Sequence, residues 1–517
     1  MAVTYKLFID WDDDGVFEAS EEVTADLLSY SVGRQFPNVA ARVAQAGRAT
    51  FVLNNPISTY TPIVNADALP MLRIRFSMTV AAVERPIFTG RVLMFVPNPR
   101  WGWRVCTLEC ADLTYLLQDA EINIPVQTYV RADELIETAI AAAGYASHQS
   151  ALSQRAPGIV QISADRWDAS VGAFAVSGVS KVTAFSLITQ AALSGWGRWF
   201  VDGLGEWRYY SRHHKAFSEG TDYTIYDNPT SDAHLFLTSS AHKISVEGVK
   251  NDVRVGFYQR TIGTALEVIA RTSQGSQLSI NPGETRTVTL SYRDPTNVAN
   301  QIGGLVVNPP EFGVDVLATY EKTGDGPSAL SDLVISDNLG AQRAELEVTN
   351  LSATQVVWIH RLQLRGIIVR MRETQQAIVG DVASMSAYRR RQLLISCSLI
   401  SQPYEAWRLA QYLLNQFKDP KPETTSVTLH AGQGDDTAAM IRDIELLDGI
   451  TLNNDRLGYS MDLLVSALTH SGDAQRGHRL TLSLEPIARY RDDAGGLITN
   501  PFLIGSPIGN ATYDMVY

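Results

Sequence analysis

The stretch FIDWDDDGVFEASEEVTADLLSYSV, residues 8–32, decides the fold because it joins the end of a strand to an acidic turn. Its acidic residues have the spacing of a twelve-residue calcium-binding loop, including a final glutamate that can bind through both oxygens. The ligand and turn positions of such a loop are filled in order by Asp10, Asp12, Asp14, Gly15, Glu18 and Glu21.

The residues before this turn are typical of a β-strand. In AVTYKLFI, residues 2–9, the side chains of Tyr5, Leu7 and Ile9 alternate with those of the intervening residues. A strand at this position removes the helix that precedes the loop in an EF-hand. Two interpretations therefore stay open, a calcium-binding loop and an acidic hairpin turn closed by Gly15.

The composition is that of a folded, acidic chain. Its 517 residues exceed what one hydrophobic core organises, which predicts about three or four domains. With 45% hydrophobic and 19% charged residues, the chain falls among globular proteins. The formal net charge of -12 argues against binding nucleic acid through its phosphates.

The cysteines and the apolar runs indicate where the chain is made. Cys106 and Cys110 lie on one face of the strand-like RVCTLECADL, and Cys397 lies in LLISCSLI. Three such cysteines predict buried thiols rather than a disulfide framework, as expected in a reducing cytoplasm. The opening MAVTYKLFID lacks the apolar region of a signal peptide, and no run of about 18 apolar residues predicts a membrane span.

The patterning predicts a mainly β protein with α+β parts, built from small β-barrel domains and an inserted β-sandwich. Short strands separated by turn residues fill the first part of the chain, and helical stripes appear only further on. The predicted units are a β-barrel at 1–125, an α+β domain at 126–257, the inserted sandwich at 258–372, an α+β or β-barrel domain at 373–490 and an extended C-terminal arm at 491–517.

Three helices and one hairpin are the clearest local predictions. Apolar stripes predict helices in RADELIETAIAAAGY (131–145), TAFSLITQAALSG (183–195) and YEAWRLAQYLLNQFKDP (404–420). Thr183 is the expected cap of the second helix. Aromatic-rich strands on both sides of Asp202-Gly203-Leu204-Gly205 predict a β-hairpin.

Candidate catalytic and binding residues are few. The chain contains no metalloprotease, nucleophile-elbow, P-loop or dinucleotide-binding motif. Neighbours on a strand point to opposite faces, so the adjacent pair His213-His214 is expected at a solvated strand end rather than as a joint ligand. His360 is expected to be packed or hydrogen-bonded. Arg389-Arg390-Arg391 fits a charged strand edge better than a phosphate site. Five aromatic residues fit core packing better than sugar binding, namely Trp196, Trp199, Trp207, Tyr209 and Tyr210.

The order of these elements resembles the tail-tip or baseplate hub proteins, also called minor tail proteins, of long-tailed, siphovirus-like bacteriophages. Each motif is short, and the resemblance depends on their common order along nearly the whole chain; it is weakest in the central sandwich. The motifs that carry it are FIDWDDDGVFEASEEVTADLLSYSVGRQ, GRATFVLNNPISTYTP, TAFSLITQAALSGWGRWFVDGLGEWRYYSR, VKNDVRV, LQLRG, the helix at 404–417, LLDGITL and NPFLIGSPIGNATYD.

The resemblance implies a structural virion protein without enzymatic activity. It implies a trimeric ring of β-barrel domains that ends the tail tube and lines or closes the channel for DNA. Its implied partners are further copies of the chain, distal tail and tail tube proteins, the tape measure protein and tail fibre or receptor-binding proteins, with DNA only in transit. It would be assembled in the host cytoplasm and located at the tail tip of the virion.

Two alternatives from other functional classes remain open. The first is a receptor-binding adhesin that uses the 258–372 sandwich to bind a host glycan or protein. The second is a tail-associated cell-wall hydrolase. No cofactor is predicted apart from calcium at the opening turn, with Asp10, Asp12, Asp14, Glu18 and Glu21 as its candidate ligands.

Overall fold

The computed structural model describes residues 3–38, 40–100, 103–127, 130–145, 182–212, 214–215, 220–227, 240–272, 278–455, 458–473 and 477–487. Its α-helices are Thr114–Gln118 (α1), Ala132–Ala142 (α2), Ala184–Gly195 (α3), Val382–Tyr388 (α4), Pro403–Phe417 (α5) and Asp435–Asp443 (α6).

The strands are Thr4–Asp10 (β1), Leu27–Gln35 (β2), Arg48–Asn54 (β3), Arg73–Val80 (β4), Val83–Arg100 (β5), Trp103–Ala111 (β6), Glu121–Ile122 (β7), Val182–Thr183 (β8), Arg198–Val201 (β9), Trp207–Tyr210 (β10), Tyr223–Tyr226 (β11), Ser240–Ile244 (β12), Asp252–Arg271 (β13), Leu278–Ile280 (β14), Thr285–Ser291 (β15), Arg293–Asp294 (β16), Asn297–Gln301 (β17), Gly303–Val307 (β18), Val316–Thr319 (β19), Leu333–Leu339 (β20), Arg343–Asn350 (β21), Val357–Gly380 (β22), Gln392–Ser396 (β23), Pro422–His430 (β24), Gly449–Asn454 (β25), Tyr459–Asp473 (β26) and Gly477–Pro486 (β27).

A single 12-stranded sheet joins early and late parts of the chain. Its main path runs β1-β4-β5-β6-β3-β2-β26-β27-β24-β12, with β25 on β26 and β11 on β25. The join is antiparallel, with Ser29 opposite Asp473 and Gln35 opposite Ala467. Residues 1–125 and 373–490, which the sequence analysis assigned to separate domains, therefore contribute neighbouring strands to one sheet.

These strands also share one hydrophobic core because their buried residues alternate along each strand. In β3, Ala49, Phe51 and Leu53 are buried and the residues between them are half-buried. The core extends without interruption from Leu7 in β1 to Leu484 in β27. Burying each large side chain contributes roughly 1.5–3 kcal/mol, so this core holds the early and late strands together.

Two smaller cores flank the sheet. The β9–β10 hairpin lies between the main core and the first of these smaller cores. Trp199 and Val201 pack with helices α2 and α3, whereas Phe200 faces the main core. Helix α5 packs against β13 and β23 to form the other core. The hairpin thus connects the main sheet to the helices because its alternate side chains face opposite ways.

The central segment has a core of its own. A six-stranded sheet, with β22 and β13 at its centre, faces the three-stranded sheet β15-β21-β20. The core between them contains only residues from Ile269 to Ile368. The predicted limits at 257/258 and 372/373 fall inside β13 and β22, which run from this core into the α5 layer as an antiparallel pair.

The mainly β fold class with a minority of helices is confirmed. Thr183 caps α3 and accepts a hydrogen bond from the backbone nitrogen of Ser186 at 3.2 Å, as predicted. The helix ends at Gly195, and the residue that follows it, Trp196, takes the left-handed conformation with φ of 52°. The apolar pattern of IRDIELLDGITL, residues 441–452, predicts a strand throughout, which is wrong at its start because residues up to Asp443 belong to α6 and the strand begins at Gly449.

Among the residues that the structure describes, no helix is both long and apolar enough to cross a membrane.

Candidate functional site

The opening acidic turn is built around the carboxylate of Asp10, the last residue of β1. Asp10 is fully buried. Its two oxygens accept hydrogen bonds from the backbone nitrogens of Asp14 at 3.2 Å and Gly15 at 2.9 Å. Gly15 takes a φ of 90°, which other residues rarely adopt. The buried carboxylate of Asp10 is therefore satisfied by backbone donors of the turn itself.

Three of the five predicted calcium ligands come together. One carboxylate oxygen from each of Asp10, Asp12 and Glu21 lies within 4.8 Å of the other two. Glu21 is held in place because its oxygens accept from the backbone nitrogens of Trp11 at 2.8 Å and Glu18 at 3.0 Å. Such a trio can supply three oxygen ligands to a hard cation, which would take the rest from backbone carbonyls and water.

Asp14 and Glu18 lie outside this trio and bond locally instead. Asp14 Oδ1 accepts from the backbone nitrogen of Val16 at 2.7 Å, a contact typical of a polar turn. Glu18 Oε2 accepts from the hydroxyl of Ser20 at 3.2 Å. The geometry thus narrows the candidate calcium ligands, and binding itself stays a prediction.

Asp13, which is not a ligand position in the calcium-loop spacing, holds the turn against the neighbouring strands. Its Oδ1 lies 2.6 Å from Arg91 Nη1 and 3.2 Å from Arg73 Nε. Arg73 and Arg91 are themselves cross-strand partners in β4 and β5. No local signal reveals these contacts, because the arginines are distant in the sequence.

A second group of polar residues joins the tip of the β9–β10 hairpin to the main sheet. Arg34 Nη1 lies 2.9 Å from Glu445 Oε2, and both side chains are largely buried. The same glutamate oxygen accepts from the backbone nitrogen of Gly203 at 2.9 Å. The carbonyl of Gly203 accepts from the hydroxyl of Thr89 at 3.0 Å. We call Arg34, Gly203 and Glu445 the junction.

Glycine is required where the chain comes closest at this junction. A Cβ on Gly203 would lie 2.8 Å from the carbonyl oxygen of Pro86. Nearby, the backbone nitrogen of Gly47 donates to Asp112 Oδ2 at 2.7 Å, and a Cβ there would lie 2.6 Å from that same oxygen. Both glycines belong to motifs of the phage resemblance, which the structure thereby explains as packing requirements.

Burial changes the protonation of the acids around the junction. It raises the pKa of Asp112 to about 6 and that of Asp448 to about 7, against the opposing effect of their hydrogen bonds. Burial also raises the pKa of Glu445, although the nearby charge of Arg34 favours the ionised form. These shifts follow from packing, since burial is the largest cause in each case.

The aromatic residues do not form a sugar-binding surface. Trp196, Trp199 and Trp207 are buried, and the rings of Trp199 and Trp207 stack at 5.5 Å. Tyr209 and Tyr210 are half-buried, and Tyr209 packs against the α2–α3 core. Core packing, the interpretation that the sequence favoured, describes this cluster.

The remaining sequence candidates have structural partners. His213 lies outside the described residues, and His214 Nε2 is 3.2 Å from the carbonyl oxygen of Leu447. His360 Nε2 is 2.9 Å from the hydroxyl of Thr319. In the arginine run, Arg390 Nη2 lies 2.7 Å from Asp252 Oδ2 and so ties the start of β23 to β13.

The cysteines are buried thiols. Burial raises the pKa of Cys106 to about 11 and that of Cys397 to about 12. Burial also raises the pKa of Cys110 well above its ordinary value. A thiol in this state is a poor nucleophile at neutral pH, because only the thiolate reacts.

Comparisons with known proteins give structural similarity but no sequence family. No family model matches the chain, and no curated protein matches its sequence. The tail protein from Neisseria meningitidis MC58 and the 43 kDa tail protein of prophage MuSo2 from Shewanella oneidensis each have a TM-score of 0.47 at 9% identity, covering 94% of this chain and 99% of theirs. Prophage tail protein gp18 from Listeria monocytogenes EGD-e has a TM-score of 0.38 at 9% identity, covering 93% of this chain and 94% of its own.

Proposed function

We propose that this chain is a structural subunit of a bacteriophage tail, a hub that ends the tail tube and lines or closes the exit channel for DNA. The observation that carries the proposal is the convergence of the resembling motifs. The opening turn, the GRATF strand, the FVDGLG hairpin and the ELLDGI loop are far apart in sequence, yet all four border one hydrophobic core.

The architecture suits such a role. The early strand β2 is hydrogen-bonded directly to the late strand β26, so the two halves of the sheet form one stiff body that suits a ring. The central segment, where the resemblance is weakest, keeps its core outside this body. The net charge of -12 lets a channel wall repel phosphate, so that DNA passes without being bound.

A structural role also fits the chemistry of the described side chains. The three thiols are buried with raised pKa values. Burial lowers the pKa of His214 and of His478 to about 4. Both imidazoles therefore stay largely neutral at neutral pH.

Localisation in particles tests the proposal directly. A short epitope inserted at the exposed turn Gly324–Gly326 of the central segment would be labelled with antibody-gold on purified virions. We expect label at the tip of the tail and nowhere else. Label along the tube or on the capsid would contradict the hub role, and a cryo-EM map of the same particles would give the number of copies.

Two assays separate the hub from its alternatives. A glycan array probed with the 258–372 segment should show no selective binding; selective binding would favour the adhesin. A peptidoglycan zymogram of the full chain should show no clearing, and clearing that survives purification would favour the hydrolase.

A further inference from the structure

An apolar groove lies where the last described strand ends. It has a volume of about 370 Å³, within the range of pockets that hold ligands. Helix α5, strand β23 and strand β27 contribute its walls. Its apolar lining consists of Ala40, Trp196, Leu393, Phe417, Leu484 and Pro486.

The chain itself leads out of this groove. Glu485 and Pro486 form part of its wall, and Ile487, the last described residue, donates its backbone nitrogen to the carbonyl of Asp462 at 3.3 Å. The chain continues to residue 517. Whatever follows Ile487 therefore starts beside the apolar lining.

The following segment carries side chains that fit this lining. The run Phe502-Leu503-Ile504 begins fifteen residues after Ile487, and no charged residue lies between it and Ala494. An extended chain spans about 3.3 Å per residue, so this tether can turn back to the groove without strain. Because the run and the groove belong to one molecule, docking is favoured by a high effective concentration.

We propose that Phe502-Leu503-Ile504 docks into this groove of its own chain. The run would pack on the half-buried side chains of Leu393 and Phe417, which line the groove. The groove would then be a binding site for this chain's own apolar segment. The proposal does not depend on the role in a phage tail.

Cross-linking in the full-length chain tests whether the run docks in the groove. Leu393→Cys would be combined in turn with Phe502→Cys, Leu503→Cys and Ile504→Cys, and the protein oxidised at low concentration. At least one pair should give an intramolecular disulfide, seen as a faster-migrating monomer without reductant. The native cysteines are buried and should not form disulfides under these conditions.

The neighbouring residue supplies the matched control. Leu394 lies on the other face of β23 and is 60% exposed, so Leu394→Cys with the same partners should cross-link about tenfold more slowly. Equal rates for the two sets would overturn the proposal. Disulfide-linked dimers from the Leu393 pairs would overturn it in favour of exchange between copies.

A second measurement does not require a disulfide. Leu503→Asp should expel the run from the groove, increase the fluorescence of an apolar dye and speed proteolysis after residue 487. Asn500→Asp adds the same charge just outside the run and should change neither. Dye binding and proteolysis that stay at the wild-type level in Leu503→Asp would contradict docking.

Discussion

At the scale of single residues, the structure of the acidic turn predicts a smaller set of calcium ligands than the sequence spacing does. Three carboxylates within 4.8 Å repel one another, so a cation that binds them should stabilise the fold. Calcium at a hundred times its dissociation constant would add about 2.7 kcal/mol to the free energy of unfolding. We expect calcium to raise the melting temperature of the wild type, and Asp12→Ala to abolish that rise.

Glu18→Ala is the control for this prediction, because Glu18 lies outside the trio. It should keep the calcium response, whereas the five-ligand loop of the sequence analysis would lose it. A melting temperature unaffected by millimolar calcium would leave the acidic hairpin turn as the whole explanation.

The junction predicts an unequal cost for two arginine substitutions. Arg34→Met leaves Glu445 buried beside the hairpin without its cation, which should lower the free energy of unfolding by about 3–5 kcal/mol. Arg85 pairs with Asp443 at 3.4 Å near the surface, so Arg85→Met should cost at most about 1 kcal/mol. Urea unfolding of both variants measures the difference, and equal costs would refute a special role for the junction.

Two buried histidines predict a loss of stability in acid. His478 Nδ1 lies 2.5 Å from Tyr30 Oη, and His478 Nε2 lies 3.1 Å from His470 Nδ1. Burial lowers the pKa of His478 from 6.5 to about 4, and it also lowers the pKa of His470 well below its ordinary value. The unfolded chain therefore binds more protons between these values, and the stability present above pH 6.5 is lost as the pH falls.

The measurement is the free energy of unfolding at pH 7, 6 and 5. Each histidine should contribute a slope of about 1.4 kcal/mol per pH unit within the window. The raised pKa values of Asp112 and Asp448 act in the opposite direction, so the wild type must be compared with the double variant His470→Gln and His478→Gln. The slope of the unfolding free energy against pH should be more negative in the double variant than in the wild type by up to about 2.8 kcal/mol per pH unit, and identical slopes would contradict the prediction.

At the scale of elements, the central segment should fold by itself. Its core uses only residues within 269–368, so the 258–372 fragment should melt cooperatively. Leu346 is fully buried in that core, and Leu346→Ala should cost about 2–5 kcal/mol both in the fragment and in the whole chain. A fragment that binds apolar dyes and melts without a transition would show that the ends of β13 and β22 need the hub.

Local patterns predicted elements better than they predicted how those elements meet. The stripe and cap of α3 and the turn residues of the β9–β10 hairpin are short-range signals, and the structure has both. The sequence did not predict helix α6, because Gly432 and Gly434 before it and the two aspartates at its start are equally typical of a turn. The contacts of Asp13 and Glu445 were out of reach, since each depends on tertiary packing.

At the scale of the whole molecule, the proposed hub should close into a ring. Head-to-tail contacts between copies avoid open-ended growth when they close into a ring, and the phage resemblance implies three copies. Light scattering at micromolar concentration should give three times the monomer mass. Monomer at every concentration, both alone and with tail tube proteins, would contradict the ring.

The pairing of β2 with β26 has a consequence for synthesis on the ribosome. Strands Leu27–Gln35 and Tyr459–Asp473 are roughly four hundred residues apart, so the early strands emerge long before their partner exists. Meanwhile β2 presents an unpaired edge, which invites aggregation. Nascent chains halted before residue 459 should therefore depend on chaperones, whereas the central segment can complete its own core as it emerges. Late closure of the sheet would also prevent partly made copies from entering a tail.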